Sequence, residues 1–323
     1  MNRRAFLGAT AGLAASRGVS LSAPDHGSSP FPIIDTHTHF FDPRRPEGIP
    51  WPTIEKQPLF YRPVLPAEFR AMSSLLGVTG TVVVEAGNPN IEGNQWNLDL
   101  AEEETFIVGY VGHIQPGTPD FQRLLARFSK NRLLKGIRTY YGRLPKGVKD
   151  PAFINDLKTL AKQGLECDVA GFPVLLDGVV RISDAAPDLR IVIDHLPYPK
   201  PKDQKTRGML HEALREIKSR PRIYVKVSEV LRIVEGETVD TNWTAHKEEL
   251  DELWEAFGED RVVYGSNWPA SIPVASYYSI INLVRDYFAT KGRAVSEKFF
   301  WKNSVAAYRW EKREANQPDP GAA

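Results

Sequence analysis

The chain has 323 residues, with 41 Lys and Arg against 40 Asp and Glu, and 42% of its residues are hydrophobic. The balanced charge argues against a nucleic acid or an anionic membrane surface as a partner. The sequence contains no uninterrupted apolar run of about 18 residues, so no membrane-spanning helix is expected. We therefore expect a folded, soluble protein that acts on a small-molecule substrate.

The first residues, MNRRAFLGATAGLAASRG, contain the pair Arg3 and Arg4, then Phe6 and Leu7, then a short and weakly apolar run. This pattern is typical of a twin-arginine export signal. An ordinary N-terminal helix with two chance arginines is the alternative. We expect residues 1–29 to be signal peptide and linker, and the protein to be exported to a bacterial periplasm.

From residue 31 onward, short apolar runs alternate with helical segments. The eight runs expected to form strands are FPIIDTH, GTVVVEAG, FIVGYVGHI, LLKGIRTY, LECDVAG, RIVIDHLP, RIYVKVSEV and RVVYGSNWP. A Pro-rich loop of residues 40–64 follows the first strand, and loops of this length are usually functional. A last helix, VSEKFFWKNSVAAYRW, is expected to close the fold, and residues 313–323 are expected to be disordered.

These strands read as continuous apolar runs, which is typical of a sheet buried on both faces. Their alternation with helices indicates parallel strands joined by right-handed crossovers. Eight such units predict one (β/α)8 barrel over residues 30–312. A doubly wound open sheet is the alternative, although no G-x-G-x-x-G follows the first strand.

Cys167, the only cysteine, lies in the fifth expected strand. A single cysteine excludes an intrachain disulfide and a cysteine-based metal site. We expect an inert thiol in the core.

Chemistry in such barrels lies where the strands end. The strand ends carry His37 and His39, Glu85, His113, Arg138, Asp168, Asp194 and His195, Lys226, Ser228 and Glu229, and Ser266, Asn267 and Trp268. Because side chains alternate along a strand, His37 and His39 share one face, and Asp35 shares their parity. Two such imidazoles can hold a divalent cation or donate hydrogen bonds to a carbonyl oxygen, and Asp35 is expected to orient one of them.

Six motifs, IIDTHTHF, NQWNLDLA, KGIRTYYG, IVIDHLPYPK, YVKVSEV and VVYGSNWP, occur in order along the chain. Together they resemble the amidohydrolase superfamily, in particular its sugar lactonases and pyrone-dicarboxylate lactonase. The resemblance covers residues 31 to about 310 and implies a hydrolase that opens a sugar lactone or a carboxylated lactone. It also implies that His37, His39 and His195 polarise the carbonyl, either directly without metal or through one zinc-like ion that they hold.

The resemblance further implies that Arg138 binds an acidic or carbonyl group of the substrate, since its planar fork suits a carboxylate. A structural salt bridge to Glu85 or Asp168 is the alternative. Glu85, Lys226 and Trp268 are further candidates for substrate contact. Lys226 is expected as a hydrogen-bond donor, or else in a salt bridge inside the rim, and Trp268 as a lid over the base of the pocket.

Two further expectations concern the number of metal ions in the site and the orientation of Asp194. Many relatives place a Lys or a His on the fifth strand, where this chain has neither, so a two-metal centre is not expected. Asp194 should point away from His195, because the two are adjacent in a strand, and is interpreted as structural.

Relatives commonly have Asp at the position of Asn267, where it accepts a proton from the attacking water. An amide cannot accept that proton near neutral pH, so Asn267 is expected to take part in catalysis by orienting the water or the carbonyl oxygen. One metal ion could lower the pKa of its water to about 7, or the carboxylate of Glu85 or Glu229 could act instead. Loss of hydrolysis, leaving a binding barrel, and a metal-dependent decarboxylase are the remaining alternatives.

Overall fold

The computed structural model describes residues 31–87, 91–171, 175–197, 203–233 and 238–323. The expected export signal lies outside these residues. The predicted barrel is confirmed, because eight parallel strands follow one another around a single sheet in the order of the sequence. The strands are β1 Ile33–Thr38, β2 Val78–Val84, β3 Ile107–Gly112, β4 Leu134–Tyr140, β5 Glu166–Ala170, β6 Arg190–Leu196, β7 Ile223–Val227 and β8 Val262–Tyr264.

The first and last strands meet at their carboxyl ends. Thr38 and Trp268 form a parallel bridge. The backbone N–H of Asn267 donates to the carbonyl of His37 at 2.9 Å, and the N–H of His39 donates to the carbonyl of Trp268 at 2.8 Å. These bonds place the HTH and GSNWP motifs side by side at one edge of the barrel.

Helices alternate with the strands as the sequence predicted. They are α1 Pro66–Ser73, α2 Ile91–Glu103, α3 Phe121–Phe128, α4 Leu144–Gly147, α5 Pro151–Lys162, α6 Leu175–Ala185, α7 Gln204–Lys218, α8 Lys247–Phe257, α9 Tyr277–Ala289, α10 Arg293–Glu297 and α11 Asn303–Tyr308. Side-chain caps start several of them: Asp150 accepts from the N–H of Ala152 at α5, and Asp203 from that of Thr206 at α7. Among the described residues, no helix has both the length and the apolar character needed to cross a membrane.

The sequence predicted a single closing helix. The structure has three short segments in its place, because a π-helical turn, Lys298–Lys302, separates α10 from α11. Trp301, Tyr308 and Trp310 from this region pack with strand residues in one apolar cluster. A larger cluster joins strands to helices and contains the buried, free Cys167, as expected of a core thiol. The last segment therefore completes the core of the barrel.

Arg313, Glu314, Gln317 and Pro318 are at least partly buried, which differs from the expectation of a disordered tail over residues 313–323. The Arg313 guanidinium donates to the carbonyl of Ile107 at 2.6 Å, and the Gln317 amide donates to the carbonyl of Thr105 at 3.0 Å. Glu314 forms an ion pair with Arg70 at 2.8 Å. The tail is held by polar bonds to the segment around the start of β3, and hydrophobic periodicity does not report such bonds.

Candidate active site

Three imidazoles meet at the carboxyl end of the barrel. His37 and His39 come from the end of β1, and His195 from the end of β6. The ring centroid of His37 lies 4.9 Å from that of His39 and 4.4 Å from that of His195. The structure thus brings three of the sequence-predicted residues into one small volume, which we call the histidine cluster.

His39 has a defined tautomer. Its Nδ1 lies 2.8 Å from the carbonyl oxygen of Val84, which can only accept. Nδ1 therefore carries the hydrogen, and Nε2 presents a lone pair to the cluster. Burial, with the charge of Arg138 as a second cause, lowers the pKa of His39 to about 4, so the ring is neutral at neutral pH.

His37 can adopt either neutral tautomer. Its Nδ1 lies 3.1 Å from the Lys226 ammonium and 3.3 Å from Oδ1 of Asp194. If Lys226 donates to Nδ1, the Nε2–H of His37 can donate to Nε2 of His39, 3.2 Å away. If Nδ1–H donates to Asp194 instead, the Nε2 lone pair is free for a cation. Burial, followed by the nearby Lys226 charge, lowers the pKa of His37 well below its ordinary value.

His195 completes the cluster. Its Nδ1 lies 3.1 Å from the hydroxyl of Ser228, at the end of β7, which leaves Nε2 for another partner. Burial lowers its pKa, although the carboxylate of Glu229 acts in the opposite direction. Each ring of the cluster therefore has Nδ1 engaged by a neighbouring group, the usual arrangement around histidine metal ligands.

Asn267 has a left-handed backbone, with φ of 58°, which Asn tolerates better than most residues. Its Nδ2 donates to Oε1 of Glu229 at 2.5 Å, and its Oδ1 lies 3.1 Å from Nε2 of His39. Because the carboxylate of Glu229 accepts, the amide oxygen must be the atom that faces His39. Two acceptors therefore face each other, an arrangement that a cation between them would stabilise.

A buried ion network supports the cluster from inside the barrel. The Lys226 ammonium lies 2.5 Å from Asp168 and 2.9 Å from Asp194, and all three side chains are fully buried. The Arg138 Nε lies 3.0 Å from the other oxygen of Asp194. Burial alone would raise the pKa of Asp194, but Lys226, His37 and Arg138 together hold it well below its usual range. Asp194 is therefore an ionised anchor for its cationic neighbours.

The expectation that Asp194 points away from the site was wrong. His195 has a left-handed φ of 59°, and the pairing of β6 with β7 shifts register between Ile193 and Leu196. The alternation of side chains therefore fails at this point, and Asp194 faces the barrel interior as His195 does. Asp168 was considered from the sequence only as a partner of Arg138, and its ion pair with Lys226 was not predicted.

Lys226 has little freedom to contact a substrate, because two carboxylates and His37 surround its ammonium group. The two carboxylates raise its pKa above the ordinary value, although burial acts in the opposite direction. This geometry matches the expected alternative of a salt bridge inside the rim. We assign Lys226 to the support of His37.

Arg138 forms its buried ion pair with Asp194, so neither of the two partners considered from the sequence is its main one. Its Nη1 lies 3.3 Å from the carbonyl of Glu85 and 3.9 Å from Oε1 of that residue. The Glu85 carboxylate accepts from Tyr140, from the N–H of Gly87 at 2.5 Å and from His113 at 3.2 Å. Glu85 therefore has its carboxylate occupied, and His113 supports it, in line with a structural role.

Trp268 does not form a lid. The residue is 2% exposed. The centroid of its ring lies 5.0 Å from that of Phe69 on α1 and 6.0 Å from that of Phe40. The left-handed Asn267 turns the next residue toward the helices. The aromatic wall of the site is instead Trp51, in the Pro-rich loop, whose ring centroid lies 5.5 Å from that of His39.

Asp35 does not orient an imidazole. Its Oδ1 accepts from the backbone N–H groups of His37 and Ser266 at 3.1 and 2.9 Å, and its Oδ2 from the Tyr277 hydroxyl at 3.1 Å. The pairing of β1 with β2 shifts register between Asp35 and Thr38, so the parity argument fails here too. Asp35 ties the ends of β1 and β8 to α9.

The spacing of ligand atoms in and around the cluster fits a metal ion. Ligand atoms of His37, Asp194 and His195 lie within 4.8 Å of one another. Two ligands of a tetrahedral ion, each about 2.1 Å from it, are separated by about 3.4 Å. The distances of 3.2 Å between His37 and His39 and 3.1 Å between His39 and Asn267 are close to that value. Because Asp194 is engaged by Lys226 and Arg138, we assign it to the support of the ligands.

Comparison with known proteins identifies the family of the chain. The sequence profile of the amidohydrolase family matches residues 34–310. The chain is 25% identical over 250 residues to L-fucono-1,5-lactonase of Burkholderia ambifaria, covering 74% of this chain and 80% of that protein.

Two solved structures show the same fold. One is an amidohydrolase from Burkholderia multivorans with bound zinc, with a TM-score of 0.75, 22% identity and coverage of 86% of this chain and 99% of the other. The second, from Acinetobacter baumannii with bound citric acid, is described as a probable 2-pyrone-4,6-dicarboxylic acid hydrolase. It has a TM-score of 0.68, 17% identity and the same two coverages of 86% and 99%.

Proposed function

Because this chain belongs to the amidohydrolase family, we propose that it is a lactonase that opens a sugar lactone or a carboxylated lactone by attack of water. The observation that carries this proposal is the pair of acceptors, Nε2 of His39 and Oδ1 of Asn267, that face each other at 3.1 Å. Such a pair favours an electrophilic centre at the carboxyl end of the barrel. The similarity to L-fucono-1,5-lactonase supports a cyclic ester as the substrate class.

His37, His39 and His195 would hold one divalent, zinc-like ion through their Nε2 atoms. When bound, the ion would polarise the ester carbonyl and lower the pKa of a water molecule. Asp194, Ser228 and the carbonyl of Val84 would keep the three rings in orientation, because each of them contacts an Nδ1 atom.

Glu229 is the carboxylate best placed to accept the proton of the attacking water. It is exposed, follows β7, and lies 2.5 Å from the amide nitrogen of Asn267. Glu85 is less suited, because its carboxylate already accepts three hydrogen bonds. Asn267 would orient Glu229 and the reacting oxygen, so that the function of the missing Asp is divided between two residues.

Arg138 would hold an acidic or hydroxyl substituent of the substrate. Its Nε contacts Asp194 and its Nη1 contacts the carbonyl of Glu85. The Nη2 edge of the fork would then meet the substrate, and the neighbouring Asp194 would keep the guanidinium in place.

The test is a hydrolysis screen of purified protein against L-fucono-1,5-lactone, other sugar 1,5-lactones and 2-pyrone-4,6-dicarboxylate. The release of acid is the measurement. Zinc-loaded and chelator-treated samples are compared, and bound metal is measured by elemental analysis. We expect turnover of at least one lactone and its loss on chelation. Absence of turnover across the panel by zinc-loaded, folded protein overturns the proposal.

A metal-dependent decarboxylase is the second candidate. Asn267 favours it, because decarboxylation needs no base to activate water. Carbon dioxide release without net acid release from a carboxylated substrate would identify this activity.

We also propose export by the twin-arginine route, on the basis of Arg3 and Arg4. Cell fractionation of the full chain and of the double variant Arg3→Lys, Arg4→Lys tests it. The full chain should be periplasmic and the variant retained; equal distribution of the two would contradict the proposal.

A further inference from the structure

A cavity of about 320 Å³ lies beside the histidine cluster, between the segments that follow β7 and β8 and helix α9. Its walls are mainly aliphatic, and the apolar lining residues include Val230, Leu231, Val274, Ile280, Leu283 and Val284. Cavities of this size and character in enzymes are typical of binding sites for apolar groups.

The cavity wall contains a buried hydroxyl without a hydrogen-bond partner. Ser271 lines the wall and is 8% exposed, and its hydroxyl has no hydrogen-bond partner among the described residues. A buried hydroxyl of this kind destabilises a protein unless a bound group satisfies it. The cavity therefore suits a hydrocarbon chain that carries one hydrogen-bonding group.

The cavity lies next to the histidine cluster, because two of its lining residues contact side chains of the candidate active site. Ser228 and Glu229 line it, and the same two residues contact His195 at 3.1 Å and Asn267 at 2.5 Å. Gly265 lines it as well, and a Cβ added there would lie 2.9 Å from the Cβ of His37. The cavity therefore adjoins the candidate active site at Ser228 and Glu229.

We propose that this cavity binds an aliphatic substituent of the lactone, so that the substrate has a hydrocarbon chain in addition to the polar group at Arg138. The inference rests on the proposed function. A sugar hydroxyl placed against the valine and leucine walls would lose its hydrogen bonds to water, whereas a hydrocarbon chain gains free energy by leaving water.

Binding is tested first, without catalysis, with octan-1-ol as the probe and ligand-observed NMR or calorimetry as the measurement. The wild-type protein should bind octan-1-ol saturably. Val274→Phe, which fills the cavity, should weaken binding about tenfold or more, a change of about 1.4 kcal/mol. Val180→Phe is the matched control, because Val180 is half-buried on α6 and does not line the cavity.

If Val274→Phe does not fold, Ile280→Phe on α9 serves instead, since Ile280 is also half-buried and lines the cavity. Failure of octan-1-ol to bind the wild type overturns the inference. Equal binding to the wild type and to a folded cavity-filling variant overturns it as well.

Turnover is tested second, with an unsubstituted δ-lactone and its heptyl-substituted analogue. The wild type should prefer the heptyl compound in kcat/KM by about tenfold or more, and Val274→Phe should lose this preference while it keeps activity on the unsubstituted ring. Hydrolysis of both without preference overturns the assignment to the substrate. If octan-1-ol binds as expected but no lactone is hydrolysed, the proposed function fails and the hydrocarbon site is supported.

Discussion

The Nε2 atom of His39 and the Oδ1 atom of Asn267 lie 3.1 Å apart, and both are acceptors. The carbonyl of Val84 fixes the tautomer of the ring, and Glu229 fixes the orientation of the amide. The carbonyl of Val84 contacts the ring, and Glu229 the amide, on the side away from the 3.1 Å contact. The near sides are therefore preorganised for a positive centre, and the first two predictions depend on this arrangement.

The first prediction concerns metal binding. Zinc at about a hundred times its dissociation constant should stabilise the wild type by about 2.7 kcal/mol, which calorimetry detects as a higher Tm. His39→Ala should lose this shift and the bound metal, because it removes a central donor. His211→Ala is the control, since His211 is 57% exposed and pairs with Glu252 on the surface. Equal zinc content in wild type and His39→Ala would contradict the assignment.

The second prediction concerns the proton acceptor. Glu229→Gln should lower kcat about a hundredfold or more, in the range that a general base contributes. Asn267→Asp alone should not raise activity, because the new carboxylate would lie beside that of Glu229. In the wild type, Oε1 of Glu229 is 2.5 Å from the amide nitrogen of Asn267. The double variant Asn267→Asp, Glu229→Gln should regain activity, since it exchanges the two groups.

Kinetics of the two single variants and the double variant measure this exchange. Glu47→Gln serves as the control for a carboxylate outside the cluster, where Glu47 pairs with Arg45 at 3.5 Å. A sharp rise in activity with Asn267→Asp alone would show that the barrel has no working base. Full activity of Glu229→Gln would exclude Glu229.

The third prediction concerns the buried ion network. Lys226→Met leaves the carboxylates of Asp168 and Asp194 buried without their shared cation, so the free energy of unfolding should fall by about 3–5 kcal/mol. Lys247→Met, at a surface pair with Asp251, is the control and should cost about 1 kcal/mol or less. Urea denaturation measures both. A cost for Lys226→Met no larger than the control would show that the network does not stabilise the fold.

The sequence was sufficient for the barrel and for the convergence of His37, His39 and His195, because strand order and a shared rim follow from alternating elements. It was insufficient where the backbone leaves the regular strand. Left-handed φ angles at His195, Glu229 and Asn267 are not encoded by glycine, so alternation wrongly assigned Asp194.

The position of Trp268 was hidden by the same irregularity. A residue that follows a left-handed position takes its direction from tertiary packing, here from Phe69 on α1. The strand pattern placed Asp168 and Ser228 at strand ends, but it did not predict their contacts with Lys226 and His195, because those contacts join residues far apart in the sequence. Spacing therefore predicts ligands better than it predicts the groups that position them.

The fourth prediction concerns the tail. The Arg313 guanidinium donates to the carbonyls of Ile107, at 2.6 Å, and Glu104, at 3.2 Å. Arg313→Met would leave these carbonyls with fewer donors, and bonds from charged groups contribute about 1.5–3 kcal/mol each. We expect a loss of about 2 kcal/mol in the free energy of unfolding by urea denaturation. Lys312→Met, at the exposed neighbouring position, should change it by less than about 0.5 kcal/mol. Equal stability of the two variants would mean that the tail is not anchored through this residue.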